Sequence, residues 1–434
     1  MKIKEFIILL LIIGVGIFFT QVHTGKIDLY LDLGEGFIFQ GEKYEFKETE
    51  EIEAPLPVEL HILNRNGTVD VLGTEGEKIT IELDKQIWSR KEENARKIAG
   101  GLNIRIKKDS YRIVLSVNRE DFRKNRIRTH FTIRVPEGIK LNVSNSHGPV
   151  KAEAVGDTDI SNRNGGVEVK DIRGKLTLEN SYNDVNVTNV QDDCEINSRN
   201  SHVRLTGILG NVRIEHRYGK VALEDIRGNV LVEAAHSEVS GQEIVGETEI
   251  ESTYRNISLL DAGRVTLVGN NCRMTIDGAR GDVDIHGRYS SVKIQNIHGN
   301  LNIQGKNLGI NGKNIVGDTI TIFSSYRFVE LESFSGKTLI TLPNGNITLT
   351  PLPLTHRIEA KGDYANITLF WPSGQQYPFE AQARTGDIKW ELDEELSYNK
   401  ENGVTYIKAF PTASGPAIHL TTKYATIRIK KAKD

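Results

Sequence analysis

Two Asp-x-Asp pairs occur in this chain, Asp157-Thr-Asp159 and Asp282-Val-Asp284. On a strand alternate residues share a face, so each pair would present two acids about 7 Å apart. A calcium site or the acid that protonates a glycosidic oxygen could be built from such a pair. Outward pairs of this kind also solubilise a sheet, and the remaining acids do not gather: Glu168, Glu215, Asp225, Glu251 and Asp284 are scattered among Lys and Arg. His202, His216, His236, His286 and His298 would suit a metal if folding stacked them, but they fall at different places in the repeat described below. That placement predicts separate surface or corner histidines. Gly278-Ala-Arg-Gly-Asp282 approaches the calcium-binding nonapeptide pattern once, where a calcium solenoid needs it at every turn. No Ser/His/Asp arrangement, phosphate-cradling loop or zinc spacing stands out. The sequence therefore nominates no catalytic, cofactor-binding or metal-ligating residue and implies no cofactor.

What positions these residues is a repeat. From Asn164 to Tyr326 a corner residue precedes an apolar–polar–apolar pair, an Ile-x-Gly and a second apolar–polar–apolar pair, as in Tyr289-Ser-Ser-Val292-Lys-Ile294-Gln-Asn-Ile297-His-Gly299-Asn-Leu301-Asn-Ile303. The corners are Asn164, Tyr182, Asn200, Tyr218, His236, Tyr254, Asn271, Tyr289, Asn307 and Tyr326, and their numbers advance by 18, 18, 18, 18, 18, 17, 18, 18 and 19. A fixed period of this length marks a solenoid. Each unit offers two short strands whose apolar residues point inward, and no unit could bury that face alone. Ile172, Ile208, Ile226, Ile244, Ile297 and Ile315 are expected to fill the corner between strands. The Gly two places later (Gly174, Gly210, Gly228, Gly246, Gly299, Gly317) fits a backbone turning through φ > 0.

Tyr alternates with Asn or His at the corners, and two coils fit that alternation. A coil of one unit runs Tyr over Asn over Tyr. A coil of two units, about 36 residues, gives an unbroken Tyr stack on one edge and an almost unbroken Asn ladder on the other. Uniform stacks gain aromatic contacts and side-chain hydrogen bonds along the axis, which favours the second.

Composition agrees with a chain of short strands. The hydrophobic share is 38%, with 40 Gly and only 2 Met, which suits tight corners better than packed helices. Lys plus Arg is 55 against 58 Asp plus Glu, so the net charge of −3 supplies no field that implies nucleic acid. Cys194 sits where other copies carry Leu176, Val212 and Val230, and reads as a small core residue. Cys272 falls beside a corner about four repeats on, too far for the roughly 7 Å Cα separation a disulfide needs.

Along the chain, Lys2 and Lys4 precede the uncharged run Phe6 to Phe19, an export signal. No small-x-small cleavage site follows, and as a helix Phe6 to Val22 would span roughly 26 Å. Residues 1–25 are therefore expected as an uncleaved signal anchor, a transmembrane segment with the bulk of the chain extracytoplasmic, in the periplasm or on the cell surface. No Cys follows the run, so a lipoprotein anchor is not indicated. Residues 26–57 read as an irregular, acidic tether. Residues 58–143 read as a β-rich entry region with one short helix over Ser89–Gly100. Its cluster Arg119, Arg123, Lys124, Arg126 and Arg128 is the most basic in the chain and reads as a solvated loop face. Residues 144–340 carry the solenoid repeats. Residues 341–434 carry looser repeats and a C-terminal cap, in which Arg384–Trp390, the segment from Glu391 to Pro411 and a last strand Ala425–Ile429 close the open end.

Three motifs carry a resemblance: Asn64-Arg-Asn-Gly-Thr-Val-Asp-Val71, Thr132-Ile-Arg-Val-Pro-Glu-Gly138, and turns such as Asn164-Gly-Gly-Val-Glu-Val169. They resemble the adhesin-like proteins of prokaryotic envelopes, the DUF4097 group, over roughly residues 55–434. The resemblance implies a β-helical, commonly membrane-tethered extracytoplasmic domain and brings no catalytic residues. Together these readings predict an all-β fold, a parallel β-helix (β-solenoid) of 18-residue repeats. The coil is taken as right-handed from the resemblance and the usual hand of parallel crossovers. The expected role is a non-enzymatic, adhesin-like binding or scaffolding surface in the cell envelope, in envelope stress or assembly, with an unidentified protein or surface-polymer partner, no nucleic acid, and self-association as a third reading. The alternative is a β-helical carbohydrate-active enzyme, a polysaccharide lyase or hydrolase.

Overall fold

A computed structural model describes residues 41–372, 375–393 and 396–431. The expected anchor, residues 1–25, lies outside the described residues; among those described, no helix is long and apolar enough to cross a membrane. The chain divides into two compact units. Among the described residues, one holds 41–48 together with Asp84–Asn103 and Asn118–Arg128; the other holds Thr49–Leu83, Ile104–Val117 and the described residues from Thr129 to 431.

The smaller unit contains the helix, α1 (Glu92–Gly101). It begins later than Ser89, where Glu92 and Glu93 face the positive end of the helix dipole, and it stops at the Gly100-Gly101 pair. Ala95 and Ala99 are its buried residues. Lys85 is almost buried, and its ammonium is held by the Ala99 carbonyl at 3.0 Å and the Glu48 carboxylate at 2.7 Å. In the basic cluster, the guanidiniums of Arg126 and Arg128 lie 4.7 and 5.6 Å from the Trp88 ring centre, cation–π distances. Part of the expected tether is ordered instead: Glu42–Ile52 is a strand. Its period-2 exposure, with Tyr44, Phe46 and Glu48 more covered than Glu45, Lys47 and Thr49, is hidden in sequence because charged residues occupy both faces.

The larger unit is a parallel β-solenoid of about 13 turns. Its two ladders run on opposite sides of one apolar interior. The first stacks Glu59–Asn66, Lys140–His147, Thr158–Asn164 and Leu176–Tyr182, then continues through the first halves of Cys194–Ile208, Val212–Ile226 and Val230–Ile244. The second stacks Val69–Thr74, Val150–Glu153, Val167–Ile172 and Val185–Val190, then continues through the second halves of the same long strands. In a typical coil Val212, Ile214, Val221, Leu223 and Ile226 are at most 3% exposed. Cys194 takes its place between Leu176 and Val212 in the inner ladder, and both cysteines are free and buried.

The register decides the coil. Thr158 pairs with Leu176, Cys194 with Val212, and Val212 with Val230, each exactly one repeat further along the chain. The shorter and longer repeats are local, at Thr248 with Val265 and at Ile310 with Val329. One repeat is thus one coil, and the favoured two-unit coil is wrong. Val, Ile and Leu side chains from two facing sheets fill the roughly 10 Å between them, whereas a coil of twice the length would enclose a lumen these residues could not fill.

From Asn200 to Asn314 two backbone corners per coil lie in the left-handed region. The first falls on the alternating column, at Asn200 (φ 52°), Tyr218 (62°), His236 (56°), Tyr254 (67°), Asn271 (57°), Tyr289 (54°) and Asn307 (56°). The second falls just before the buried Ile, or the Val190, Ala262 or Ala279 that replaces it, on Asp171, Asn189, Gly207, Asp225, Glu243, Asp261, Gly278, Asn296 and Asn314, mostly types that tolerate this conformation. The Gly after the Ile is not left-handed, against expectation. It is needed because the coils touch there: a Cβ on Gly228 would lie 2.3 Å from the Gly210 carbonyl oxygen, and one on Gly246 2.3 Å from that of Gly228.

At the C-terminal end the order of coils departs from the order of the chain. Ile418–Thr422 inserts in parallel between Ile358–Lys361 and Phe379–Arg384, and Thr426–Lys430 between Tyr364–Phe370 and Asp387–Trp390. The last strand is therefore an inner coil rather than a cap, because insertion pairs both of its edges. The cap is antiparallel: Val404–Ala409 pairs with Phe379–Arg384 and with Ser397–Glu401. Beneath it Trp371, Tyr377, Phe379, Trp390 and Phe410 pack ring against ring, at 5.5 to 6.3 Å.

Candidate binding groove

The acids first considered for catalysis lie mostly in structural work. Asp157 Oδ1 accepts the Lys175 N–H at 3.1 Å, Asp193 Oδ1 the Asn211 N–H at 2.8 Å, and Asp282 Oδ1 the Asn300 N–H at 2.8 Å. Asn211, Asn229 and Asn300 do the same for Asn229, Glu247 and Thr319 at 2.9 to 3.0 Å. In these six coils an Asp or Asn thus caps the turn of the next, whereas Lys175, Glu247 and Arg264 hold that position in others; the sequence signals the role only by an acid or amide at that turn. Asp284 accepts from Asn302 Nδ2 at 3.0 Å and faces Arg264 at 3.6 Å. Among the described residues no three His, Cys, Asp or Glu side chains form a group that could hold a metal.

The histidines divide. His202 is exposed and lies 3.1 Å from Asp184, while His286 and His298 are exposed on the outer faces. His236 is stacked between Tyr218 and Tyr254, with ring centres 5.2 and 4.9 Å away and planes within 9°. Aromatic faces in this stack are therefore turned on one another along the axis, and the ring edges meet solvent. His216 departs from the expected surface or corner place: it is 2% exposed. Its Nε2 lies 3.2 Å from Ser201 Oγ and its Nδ1 2.8 Å from Ser237 Oγ, and Ser201 Oγ is 2.6 Å from Ser198 Oγ. Burial pushes its pKa down from 6.5 to about 4, opposed by a hydrogen bond at Ser201 and helped by the nearby His202, so the imidazole is neutral. His216 continues an inner column in which earlier coils carry Asn145, Asn162, Asn180 and Ser198. The three amides each donate Nδ2 to corner carbonyls, at 2.9 to 3.2 Å.

Above this column, on the outer face of the first ladder, runs a groove of about 820 Å³. It crosses seven coils, from Ser144–Ser146 through Ser161–Arg163, Glu179–Ser181, Asn197–Arg199, Glu215–Arg217 and Glu233–Ala235 to Glu251 and Thr253. Strand alternation sends two side chains per coil into it. One column reads Ser144, Ser161, Glu179, Asn197, Glu215, Glu233, Glu251; the other reads Ser146, Arg163, Ser181, Arg199, Arg217, Ala235, Thr253. The groove is polar, open and continuous along the axis, the form that suits an extended chain better than a compact small molecule. Sequence alone does not disclose it, because its members stand a full repeat apart and differ from coil to coil.

A parallel β-solenoid with a polar axial groove is the class the fold and site define. Residues 59–241, under half of the chain, match the model of the family described as Toastrack DUF4097. This span holds all three motifs on which the resemblance was drawn, and most of the groove. A search of curated proteins finds no match. Among solved structures, a "putative cell adhesion protein" from Clostridium sporogenes aligns over 89% of this chain and 100% of its own, at 9% identity and a TM-score of 0.15. A likeness at that score carries no argument.

Proposed function

We propose that this protein is a non-enzymatic, adhesin-like binding or scaffolding surface, tethered to the membrane by residues 1–25 with its solenoid outside the cytoplasm, and that the axial groove is where its partner lies. The observation that carries the reading is the continuity of the groove: seven stacked coils contribute matched positions to one polar track. Residue types on that track vary between coils, while the interior, the Gly contacts and the Asp/Asn caps repeat. Recognition is thus written where the fold leaves the residue free. The engagement of Asp157 and Asp282 with backbone N–H groups supports the non-catalytic reading over a lyase or hydrolase. The DUF4097 match supports the same role as an expectation of the family.

The test places a photocrosslinking residue at Asn197 in the groove and, in a second variant, at Arg204 on the opposite ladder, in full-length protein in its native envelope. The groove position is expected to capture a discrete partner, polymer or protein, that the other position does not. Equal capture from both would refute the groove as the contact surface. Cleavage of any polymer in a glycan screen would instead favour the enzyme.

A further inference from the structure

We propose that Arg199 and Arg217, with Arg163 two coils before Arg199, form an anion subsite, and that the groove's ligand is a linear polymer bearing phosphate or carboxylate groups. This rests on the groove reading above and adds its chemistry. Arg199 and Arg217 are direct register partners on adjacent strands, so their backbones are about 4.8 Å apart. Both are exposed on the groove side. Neither their side chains nor that of Arg163 has an ion-pair or hydrogen-bond partner among the described residues, whereas Arg173, Arg213, Arg227 and Arg264 each face an acid. The acids that could neutralise Arg217 are taken: Arg213 lies 3.1 Å from Glu215 and 3.1 Å from Glu233, holding both from the other side. Two like charges kept adjacent, with Glu215 and Glu233 engaged by Arg213, are destabilising alone and become favourable when an anion bridges them.

Guanidinium suits this role because its planar fork binds phosphate and carboxylate oxygens in pairs. Ser181 adds a hydroxyl in the same column between Arg163 and Arg199. Arg163 stands about 9.6 Å along the axis from Arg199, two strand spacings. A polymer with an anionic group at each repeat would therefore meet the pair and Arg163 along one track. Glu179, Glu215, Glu233 and Glu251 share the neighbouring column, so an anionic chain is favoured along the column of Arg163, Ser181, Arg199 and Arg217.

The experiment is fluorescence anisotropy of the full-length protein with labelled polyphosphate, labelled polygalacturonate and labelled neutral dextran, over salt from about 50 to about 200 mM. One or both polyanions are expected to bind with an affinity that falls with salt, and the preferred one identifies the anionic group. The R199A/R217A double variant is expected to lose at least about tenfold in affinity, the scale of two charge-assisted contacts, with a flatter salt dependence. The R204A/R273A variant, which removes the same charge from outside the groove, is expected to change it less than about twofold. All four arginines are exposed, and unchanged melting checks the fold. Equal losses from both variants mean diffuse charge attraction and overturn the subsite. If dextran protects the Asn197 position from crosslinking and neither polyanion does, the groove reading stands and the anion chemistry is lost. If none of the three protects it, the anion chemistry is lost, and the groove itself falls only if Asn197 and Arg204 capture partners equally.

Discussion

Lowering the pH should loosen the solenoid at the coil that holds His216, and His216→Asn should abolish the effect. The ring is 2% exposed and sits between Ser201 and Ser237, in a fold that holds it neutral with a pKa of about 4 against an ordinary 6.5. Between those two values the unfolded chain takes up a proton that the folded chain refuses. The unfolded state binds more protons there, so stability falls as pH drops from about 6.5 and levels off below about 4. At about 1.36 kcal/mol per unit the loss amounts to about 3 kcal/mol, or roughly a hundredfold in local opening. Asn is the apt replacement because Asn145, Asn162 and Asn180 occupy the same inner column on earlier coils. A long repeat array need not unfold in one step, so the assay is amide hydrogen exchange in Val212–Ile226, comparing wild type and variant at the same pH from 7 to 4. The wild type should lose about a hundredfold more protection than the variant. Equal loss in the two proteins, or an NMR titration of His216 with its midpoint near 6.5, would refute the reasoning.

Gly228→Ala should be destabilising by about 1–3 kcal/mol or more, because its Cβ would lie 2.3 Å from the Gly210 carbonyl oxygen; a fall in melting temperature with weakened amide protection in the adjacent coils checks it. Asn229→Ala should cost about 1 kcal/mol by removing the acceptor for the Glu247 N–H, whereas Asn229→Asp should be near neutral; thermal denaturation of the two variants distinguishes them. Cys194, whose thiol is pushed up to about 12 by burial, should resist alkylation at pH 8 in the native protein and react once denaturant is added, as read by mass spectrometry. Cys194→Val should cost less than about 1.5 kcal/mol, since the ladder above it already carries Val212.

Much of the fold is legible in sequence because a solenoid is built from local periodicity. The apolar alternation of Val212, Ile214, Val221 and Leu223 and the recurring Ile226 position name the interior directly. Cys194 could be placed in the core from its column alone. The strand Glu42–Ile52 was missed because its covered and exposed faces both carry polar residues. The swap of coils at the C-terminal end was missed because parallel strands of similar pattern can be ordered several ways, and only the pairing of both edges selects one.

By itself the sequence determined the repeat length, the two inner apolar ladders, the Ile corner and the absence of a disulfide framework, since each depends on side chains within one unit or on a fixed spacing. Tertiary structure decided what lies above what. Stacking one repeat per coil put Tyr218, His236 and Tyr254 in one column and brought the Gly backbones into contact. It also buried His216 under serine hydroxyls and set Arg199 beside Arg217. Those relations join residues a full coil apart in the chain but one strand spacing apart in space, and no pattern within a single repeat contains them.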